Sequence, residues 1–182
     1  MKVIKTDLQE VLLLEPRVFE DARGVAFESY NRRTFQEATG LDPLFVQDNR
    51  STSRKNVLRG LHYQVQKPQG KLISVLRGEI YDVAVDLRRS ATTFGKWVGF
   101  RLSESDRRMA WLPRGFAHGF QAMTEDCELL YAHSDPYQPA SEGALNALDP
   151  ALAIRWPLPL ADMSERDRKH AHLAPDFQGI EA

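Results

Sequence analysis

The sequence contains one cysteine, so the chain cannot form an internal disulfide. A lone thiol is typical of a reducing compartment, and we therefore expect a cytoplasmic protein. Long apolar stretches are also missing: none approaches the roughly 20 residues that a membrane-spanning helix needs. The short apolar run near the N-terminus is interrupted by acidic residues, which argues against a signal peptide. The one cysteine, Cys127 in CELLY, is more typical of a small strand residue than of a nucleophile.

A surplus of positive charge is missing as well. Lysine and arginine number 24 against 25 aspartates and glutamates, which gives a formal net charge of −1. Nucleic-acid-binding domains usually carry a basic surplus, so we predict no nucleic-acid partner, and the lack of long apolar stretches predicts no membrane partner. The composition, 42% hydrophobic and 27% charged, is that of a globular protein. A chain of 182 residues can bury a core, and we predict a single domain over residues 1–182.

Several catalytic and binding motifs are absent. The nucleotide-binding loops G-x-x-x-x-G-K-[ST] and G-x-G-x-x-G do not occur, nor does the G-x-S-x-G of serine hydrolases. The metal motifs C-x-x-C and H-E-x-x-H are missing too. A metal site in a β-barrel usually needs two or three histidines and a carboxylate. His62 and His118 could converge with an acid, but their spacing does not require it, so we predict no metal.

Most of the chain is predicted to form short strands separated by turns. The strand candidates are VLLLEP, VAFESY, LFVQDN, NVLRGLHYQ, KLISVL, GEIYDVAVDL, KWVGFRL, RRMAWLP, GFAHGFQAM and CELLYAHS. Two short helices are predicted, one at TFQEATG between Thr34 as its cap and Gly40 as its end, and one at MSERDRKHAHL. Many short strands with Gly and Pro between them are typical of an antiparallel sandwich or barrel.

The segment KLISVLRGEIYDVAVDL is predicted to be a hairpin that turns at Arg77–Gly78. In that hairpin Lys71 lies opposite Ala84 and shares a face with its diagonal neighbours Asp82 and Asp86. A lysine between two aspartates is either a surface ion-pair cluster or a cation placed where negative charge develops. Alternation alone does not choose between these interpretations.

His62, in RGLHYQ, is the first candidate for chemistry. A strand histidine is more often a buried residue with a hydrogen bond than a catalyst. However, His62 is expected within reach of Arg59 and Lys71, and histidine, tyrosine, lysine and aspartate on strands suit proton transfer next to a carbonyl. In such a reaction a base removes the α-proton, a cation stabilises the enolate and an acid returns a proton.

The sequence resembles the dTDP-4-dehydrorhamnose 3,5-epimerase family over nearly its whole length. The segments that carry the resemblance are EPRVFEDARGVAFESYN, FVQDN, NVLRGLHYQ, QGKL, GEIYDVAVDLRRSATTFGKWVGFRLS, WLPRGFAHGF, AIRWP and SERD. The resemblance implies an all-β fold, an antiparallel jelly-roll β-sandwich of the cupin type with short peripheral helices, and a homodimer. It also implies a cofactor-free isomerase that inverts C3 and C5 of dTDP-4-dehydro-6-deoxy-D-glucose to give dTDP-4-dehydro-L-rhamnose.

The resemblance implies four catalytic residues. His62 corresponds to the base that takes the proton from C3 and then from C5, and Asp167 in SERD corresponds to the carboxylate that pairs with it. Lys71 in QGKL corresponds to the cation near the C4 oxygen. Tyr131 in ELLYA corresponds to the acid on the opposite face. The residues implied to bind the sugar nucleotide are Arg23, Glu28, Gln47, Asn49, Arg59, His118, Tyr137, Glu142 and Arg166.

Without the resemblance, the sequence pattern also predicts a structural role for three of these residues. Ser164-x-x-Asp167 is a capping-box pattern, so the pattern alone favours a place for Asp167 at the start of a helix over a catalytic role. Tyr131 has the spacing of a core tyrosine with a tethered hydroxyl. His118, in FAHGF, is also expected to be a buried histidine among aromatic residues.

The sequence departs from the family pattern near the sugar and the base. The family's GFFFE is GVAFE, with Val25 and Ala26 in place of aromatic residues, and the YK after the tyrosine is Tyr131–Ala132. Paired tyrosines become Pro136–Tyr137, and ALNALD lacks the customary tryptophan. Three alternatives therefore stay open: inversion at C3 alone or action on another nucleotide-linked 4-keto-6-deoxy sugar, a metal-dependent cupin enzyme, and a sugar-nucleotide-binding module without catalysis.

Overall fold

The computed structural model describes residues 1–159 and 162–182. The strands are β1 Lys2–Lys5, β2 Leu12–Glu15, β3 Val18–Asp21, β4 Gly24–Phe27, β5 Gln47–Ser53, β6 Leu58–Gln64, β7 Lys71–Arg77, β8 Glu79–Asp86, β9 Trp97–Ser103, β10 Met109–Leu112, β11 Phe116–Ala122, β12 Cys127–His133 and β13 Glu142–Ala144. The helices are α1 Arg32–Thr39 and α2 Glu165–Arg168, and a 3-10 turn covers Pro139–Ser141. Within the described ranges, no helix is long and apolar enough to span a membrane.

Two antiparallel sheets face each other. One has the strand order β1-β2-β10-β7-β12-β5 and the other the order β13-β6-β11-β8-β9. Strands that are consecutive in the chain lie in different sheets at several points, which is the connectivity of a jelly roll. The predicted all-β jelly-roll sandwich with short peripheral helices is therefore confirmed. Strands β3 and β4 form a separate hairpin that belongs to neither sheet.

The core lies between the two sheets because alternate side chains of each strand point inward. Ile73 of β7 and Leu129 of β12 pack in one cluster with Ile80 of β8 and Phe120 of β11, and all four are buried. Each such side chain contributes roughly 1.5–3 kcal/mol by leaving water. Towards one end of the sandwich the inward positions become polar, and the candidate functional site lies there.

The outer faces of the sheets are covered as well, so both faces of the central strands are buried. Helix α1 places the buried Phe35 against Leu14 and Trp111 on the outside of the first sheet. The C-terminal part of the chain covers the second sheet, where Met163 and Ile180 belong to the same buried cluster. This cover brings the C-terminal residues close to β6, the strand that carries His62.

The predicted hairpin at Arg77–Gly78 is wrong. Strand β7 pairs with β10 and β12, whereas β8 pairs with β11 and β9, so the turn passes from one sheet to the other. Alternation identifies the face on which a side chain lies but not the strand that pairs with it. The charge of Asp82 nevertheless acts on Lys71. Asp86 instead accepts hydrogen bonds from Arg88 and Thr93.

The two helices differ from the predictions at their ends. Asn31, not Thr34, caps α1, because its side chain accepts a hydrogen bond from the backbone N–H of Thr34. Gly40 ends that helix in the left-handed conformation, as predicted, with φ of 74°. Helix α2 has only one turn, Glu165–Arg168, and is shorter than the predicted MSERDRKHAHL.

Candidate active site

A cavity of about 500 Å³ opens at the polar end of the sandwich. Cavities of this size hold small molecules, and their specificity comes from a few polar groups. Predicted site residues that line it are Asn49, Arg59, His62, Lys71, His118, Tyr131, Tyr137, Glu142, Arg166 and Asp167. The other lining residues are Tyr63, Gln64, Gln69, Gly119, Phe120, His133 and Ser164. The cavity thus brings together all four predicted catalytic residues.

His62 and Asp167 form a hydrogen-bonded pair although they are far apart in the sequence. The distance from His62 Nε2 to Asp167 Oδ1 is 2.9 Å. The backbone N–H of Gly60 also donates to Asp167, at 3.3 Å to Oδ2. Burial opposes ionisation of Asp167, but the hydrogen bond and charge of His62 and the Gly60 N–H outweigh it, so the pKa of Asp167 lies below its ordinary value. Asp167 is therefore ionised at neutral pH.

The ionised carboxylate determines the tautomer of the imidazole. A carboxylate only accepts hydrogen bonds, so the proton of neutral His62 resides on Nε2 and the lone pair on Nδ1. The side chain of His62 is about one-third exposed, whereas that of Asp167 is nearly fully buried. This arrangement is that of an oriented general base with an accessible lone pair.

Asp167 also belongs to a helix cap, and the cap is compatible with the catalytic role predicted for it. Its backbone N–H donates to Ser164 Oγ at 3.0 Å, so Ser164 caps α2. The cap uses the backbone of Asp167, and the carboxylate remains free to reach His62. The helix cap therefore uses the backbone N–H of Asp167, and the predicted catalytic role uses its carboxylate.

Lys71 places a cation in the same cavity. It is the first residue of β7, only 7% of it is exposed, and its Nζ donates to the backbone carbonyl of His62 at 3.4 Å. Burial lowers the pKa of Lys71 to about 8, while the carboxylates of Asp82 and Glu142 partly oppose this effect. At neutral pH the ammonium is still mostly charged, in a poorly solvated place where it interacts strongly with an anion.

A second, buried histidine–carboxylate pair borders the cavity through its histidine. His118 Nε2 is 2.9 Å from Asp82 Oδ2, and both side chains are buried. Burial lowers the pKa of His118, although Asp82 partly opposes this effect. The prediction of a buried histidine among aromatic residues is confirmed, because the rings of Phe120 and Tyr131 lie 6.4 and 5.9 Å away between centroids. His118 also lines the cavity, so the structural and binding roles are compatible.

Tyr131 lies on the wall of the cavity opposite His62. It comes from β12 in the first sheet, whereas His62 comes from β6 in the second sheet, and both line the same cavity. The hydroxyl of Tyr131 lies 2.9 Å from Ser51 Oγ, which tethers it. Burial raises the pKa of the phenol above its ordinary value, so Tyr131 holds its proton at neutral pH and can donate it.

Polar residues surround the opening of the cavity. The Tyr137 hydroxyl donates to Glu142 Oε2 at 2.8 Å, and Arg166 forms an ion pair with the same carboxylate. Burial opposes ionisation of Glu142, but its contacts with Arg166 and Tyr137 prevail, so its pKa lies below the ordinary value. Arg59 is held by Ser53 Oγ, to which its Nε donates at 2.9 Å. Arg59 and Arg166 are the arginines that were expected from the sequence to bind a diphosphate.

Three predicted binding residues lie outside the cavity. Gln47 is one contact away: its Nε2 donates to Asn49 Oδ1 at 3.0 Å, so it positions a residue that does line the cavity. Arg23 lies on the exposed β3–β4 hairpin, where it pairs with Asp21 at 2.6 Å. Glu28 follows that hairpin and accepts a hydrogen bond from the side chain of a nearby residue of the same exposed region. The single chain therefore does not bring Arg23 or Glu28 to the site.

One group among the described residues could hold a metal ion. His62, Asp167 and His170 offer ligand atoms that all lie within 4.8 Å of one another. The ring of His170 stands edge-on to His62 with 5.6 Å between centroids, and its Nε2 is 3.9 Å from Asp167 Oδ1. The Nε2 of His62 cannot donate to Asp167 and bind a cation at once. A cation here would therefore displace the hydrogen bond that orients the proposed base.

Several cavity residues were not predicted, and two of them had a signal in the sequence. Gln64 alternates with His62 on β6, and His133 alternates with Tyr131 on β12, so each shares the inward face with a predicted residue. His170, three residues after Asp167, was not predicted either; it lies beside His62 and Asp167 but does not line the cavity.

Comparison with known proteins supports the resemblance. The family model of dTDP-4-dehydrorhamnose 3,5-epimerase matches residues 5–175. The dTDP-4-dehydrorhamnose 3,5-epimerase of Pseudomonas aeruginosa is 52% identical over 170 residues, which cover 93% of this chain and 94% of that protein. The dTDP-4-dehydrorhamnose 3-epimerase of Streptomyces niveus is 37% identical over 175 residues, 96% of this chain and 84% of that protein.

Among solved structures, dTDP-6-deoxy-D-glucose-3,5-epimerase of Legionella pneumophila in complex with dTDP-4-keto-L-rhamnose matches with a TM-score of 0.94. The two sequences are 43% identical, and the match covers 100% of this chain and 98% of that one. The matched residues include all the strands that line the cavity and the pair His62–Asp167. The chain belongs to the dTDP-4-dehydrorhamnose 3,5-epimerase family, which is a family of isomerases.

Proposed function

We propose that this chain, acting as a single domain in the cytoplasm, inverts C3 and C5 of dTDP-4-dehydro-6-deoxy-D-glucose to give dTDP-4-dehydro-L-rhamnose, without a metal or an organic cofactor. One observation carries the proposal: the oriented base His62 and the protonated Tyr131 come from opposite sheets and line one cavity with the Lys71 ammonium. Inversion at a planar enolate needs a base and an acid on opposite faces. The single buried thiol Cys127 supports the location.

Each inversion has two steps. His62 Nδ1 removes the proton from C3, which is acidic because the C4 carbonyl is adjacent, and the electron pair moves to the C4 oxygen as an enolate. The Lys71 ammonium stabilises that oxygen. Tyr131 then donates its phenolic proton to the other face of C3. The imidazolium loses its proton to solvent and the phenolate regains one, and the same steps at C5, the other neighbour of C4, complete the reaction.

Family membership supports the substrate. The P. aeruginosa relative is named a 3,5-epimerase, and the Legionella structure contains a 4-keto-L-rhamnose linked to dTDP. The identity to that 3,5-epimerase is 52%, against 37% to the S. niveus 3-epimerase, so inversion at both carbons is favoured over inversion at C3 alone.

The test is nuclear magnetic resonance of dTDP-4-dehydro-6-deoxy-D-glucose with the enzyme in heavy water. Because Tyr131 delivers a solvent-derived proton, we expect deuterium at both C3 and C5 of the product. Deuterium at C3 alone would make the protein a 3-epimerase. Binding of dTDP without any exchange would make it a binding module, and stoichiometric iron, nickel or zinc in the active protein would favour the metal-dependent alternative.

Replacement of Tyr131 by phenylalanine should separate exchange from inversion. His62 would still remove the proton and return a deuteron to the same face, so we expect deuterium incorporation to continue while the inverted product falls by at least about 100-fold. Both quantities come from the same spectra. Tyr137→Phe is the matched control, because this rim phenol should affect binding rather than inversion. Normal inversion by Tyr131→Phe would exclude Tyr131 as the acid.

We also propose that the protein is a homodimer in which the partner's β3–β4 hairpin completes each cavity. All eight strand residues of this hairpin are exposed, including Phe19 at 55% and Phe27 at 39%. Exposed apolar surface of this kind is typical of an interface. A second copy would cover these rings and could bring Arg23 and Glu28 to the nucleotide, which accounts for their position outside the cavity of a single chain.

Mixed dimers test this arrangement. Arg23→Ala and His62→Asn chains should each be nearly inactive, but a dimer of one of each has one site with both native residues. Coexpression in equal amounts makes half of the dimers mixed, so we expect about a quarter of native activity. Light scattering should report two chains per particle. A monomer, or a mixture no more active than the better parent, would refute the shared site.

A further inference from the structure

His133 is a buried, cavity-lining histidine whose ring has no hydrogen-bond partner among the described residues. Only 7% of it is exposed, and neither Nδ1 nor Nε2 has a partner within residues 1–159 and 162–182. The other two histidines of the cavity differ in this respect, because His62 is bonded to Asp167 and His118 to Asp82. Buried polar groups are nearly always hydrogen-bonded, and one that is not calls for an explanation.

The position of His133 places it next to the groups that act on the hexose. It follows Tyr131 on the inward face of β12, with 6.2 Å between the two ring centroids. Across the sheet it is the register partner of Lys71 on β7. Facing residues of neighbouring strands lie about 5 Å apart at Cβ. His133 thus belongs to the part of the cavity where the proposed mechanism places the C4 oxygen.

The charge state of His133 suits a hydrogen-bonding role. Burial lowers the pKa of His133 to about 4, and the charges of Lys71 and His118 act in the same direction. A neutral imidazole has one N–H donor and one nitrogen acceptor. It can therefore bind a hydroxyl or carbonyl oxygen without repelling the Lys71 ammonium, which a charged histidine would do.

We propose that His133 is a specificity-determining residue that hydrogen-bonds an oxygen of the hexose beside its C4 carbonyl. The ligand would supply the partner that the described part of the chain does not provide, so the two ring nitrogens of His133 are available for a contact with the substrate. The inference rests on the proposed function and adds to it a residue that contacts the hexose and not the thymidine diphosphate. It also predicts that substrates without a polar group at that position are poor ones.

Two variants test the proposal. His133→Leu keeps a similar volume and removes both nitrogens, whereas His133→Gln keeps a donor and an acceptor. With dTDP-4-dehydro-6-deoxy-D-glucose, we expect kcat/KM of His133→Leu to fall roughly 10-fold or more, and His133→Gln to recover most of the loss. The inhibition constant of dTDP, which lacks the hexose, should stay within about twofold in both variants. His172→Leu, at an exposed histidine outside the cavity, is the control.

Thermal unfolding without ligand separates binding from a structural role. His133→Leu should unfold at the same or a higher temperature, because it loses no hydrogen bond and removes an unpaired buried polar group. The proposal is overturned if kcat/KM of His133→Leu is unchanged or if dTDP binding weakens in parallel with it. It is also overturned if His133→Gln does not recover activity, or if His133→Leu loses thermal stability.

An inactive native enzyme would refute the proposed function and this inference together, whereas an active native enzyme with an equally active leucine variant would refute this inference alone.

Discussion

Replacement of His62 by asparagine should reduce deuterium exchange at both C3 and C5 by roughly 10²–10⁴-fold, the usual contribution of a general base. Asparagine has nearly the shape of histidine up to Cγ, but its amide cannot accept a carbon-bound proton at neutral pH. Asparagine is too short to replace the Nε2 donor to Asp167, but both side chains lie at the cavity and outside the apolar core, so the fold should be preserved. The measurement is the initial rate of exchange in heavy water, together with a melting curve.

The matched control for this substitution is His172→Asn, because His172 is exposed and does not line the cavity. The control should exchange at the native rate. Exchange at C3 and C5 retained in His62→Asn would remove His62 from the mechanism. Loss of exchange at only one carbon would show that a different residue serves the other.

The partner of the base can be tested separately from the helix cap. Asp167→Asn removes the carboxylate but keeps the backbone N–H that donates to Ser164, so it should lose exchange with little effect on the cap. Ser164→Ala removes the cap and should cost about 1 kcal/mol of stability while the pair with His62 persists. Because the pKa of Asp167 is lowered in the folded protein, the stability that its ionised form provides is present at neutral pH and is lost as the pH falls below the ordinary value of 3.8.

The strands were predictable because their signals are local. Alternating side chains and Gly or Pro between segments identified β5 to β12 and the sandwich fold. The pairing of strands depends on residues that are distant in the sequence. The prediction of a hairpin at Arg77–Gly78 was therefore wrong, because β7 and β8 pair with other strands. Both faces of β7 and β8 are covered, so each run is apolar enough to suit several partners.

The site was predictable where a residue type and a recognised motif coincide. His62, Lys71 and Tyr131 lie on strands whose inward face alternation indicates, and the structure brings them into one cavity. Asp167 reaches the same cavity only because the C-terminal segment folds over the second sheet. No local sequence pattern predicts this folding of the C-terminal segment. Arg23 could not be placed from pattern, since its position in the single chain is an exposed hairpin.

Replacement of Lys71 by methionine should abolish most activity and raise stability, which is the opposite of the usual effect of a core substitution. Loss of the cation removes the charge that stabilises the enolate, so we expect kcat/KM to fall roughly 10²–10³-fold. Methionine fills a similar volume without a charge, so the cost of burying the ammonium disappears. A pKa lowered from 10.5 to about 8 corresponds to roughly 3 kcal/mol, which is the upper bound of the expected gain in unfolding free energy at neutral pH.

The pH dependence of the unfolding free energy shows whether the buried ammonium of Lys71 lowers stability. Between pH 8 and 10.5 the unfolded chain binds a proton at Lys71 that the folded chain has released, so native stability should rise with pH in that window. The penalty is fully present below pH 8, where activity also requires the charge, and activity should decline above pH 8 as the ammonium deprotonates. Lys71→Met should lose this contribution to the rise in stability, as measured by chemical denaturation at several pH values.

Lys169→Met is the control, because Lys169 is an exposed residue of the helix end that pairs with Glu165. It should change neither activity nor stability appreciably, since exposed ion pairs contribute little. Native activity in Lys71→Met would exclude the lysine from the mechanism. If Lys71→Met loses both activity and stability, the ammonium supports the fold. The loss of activity would then not be evidence that Lys71 stabilises the enolate. A gain in stability with a loss of activity is the result expected of an ammonium that is buried for function at a cost in stability.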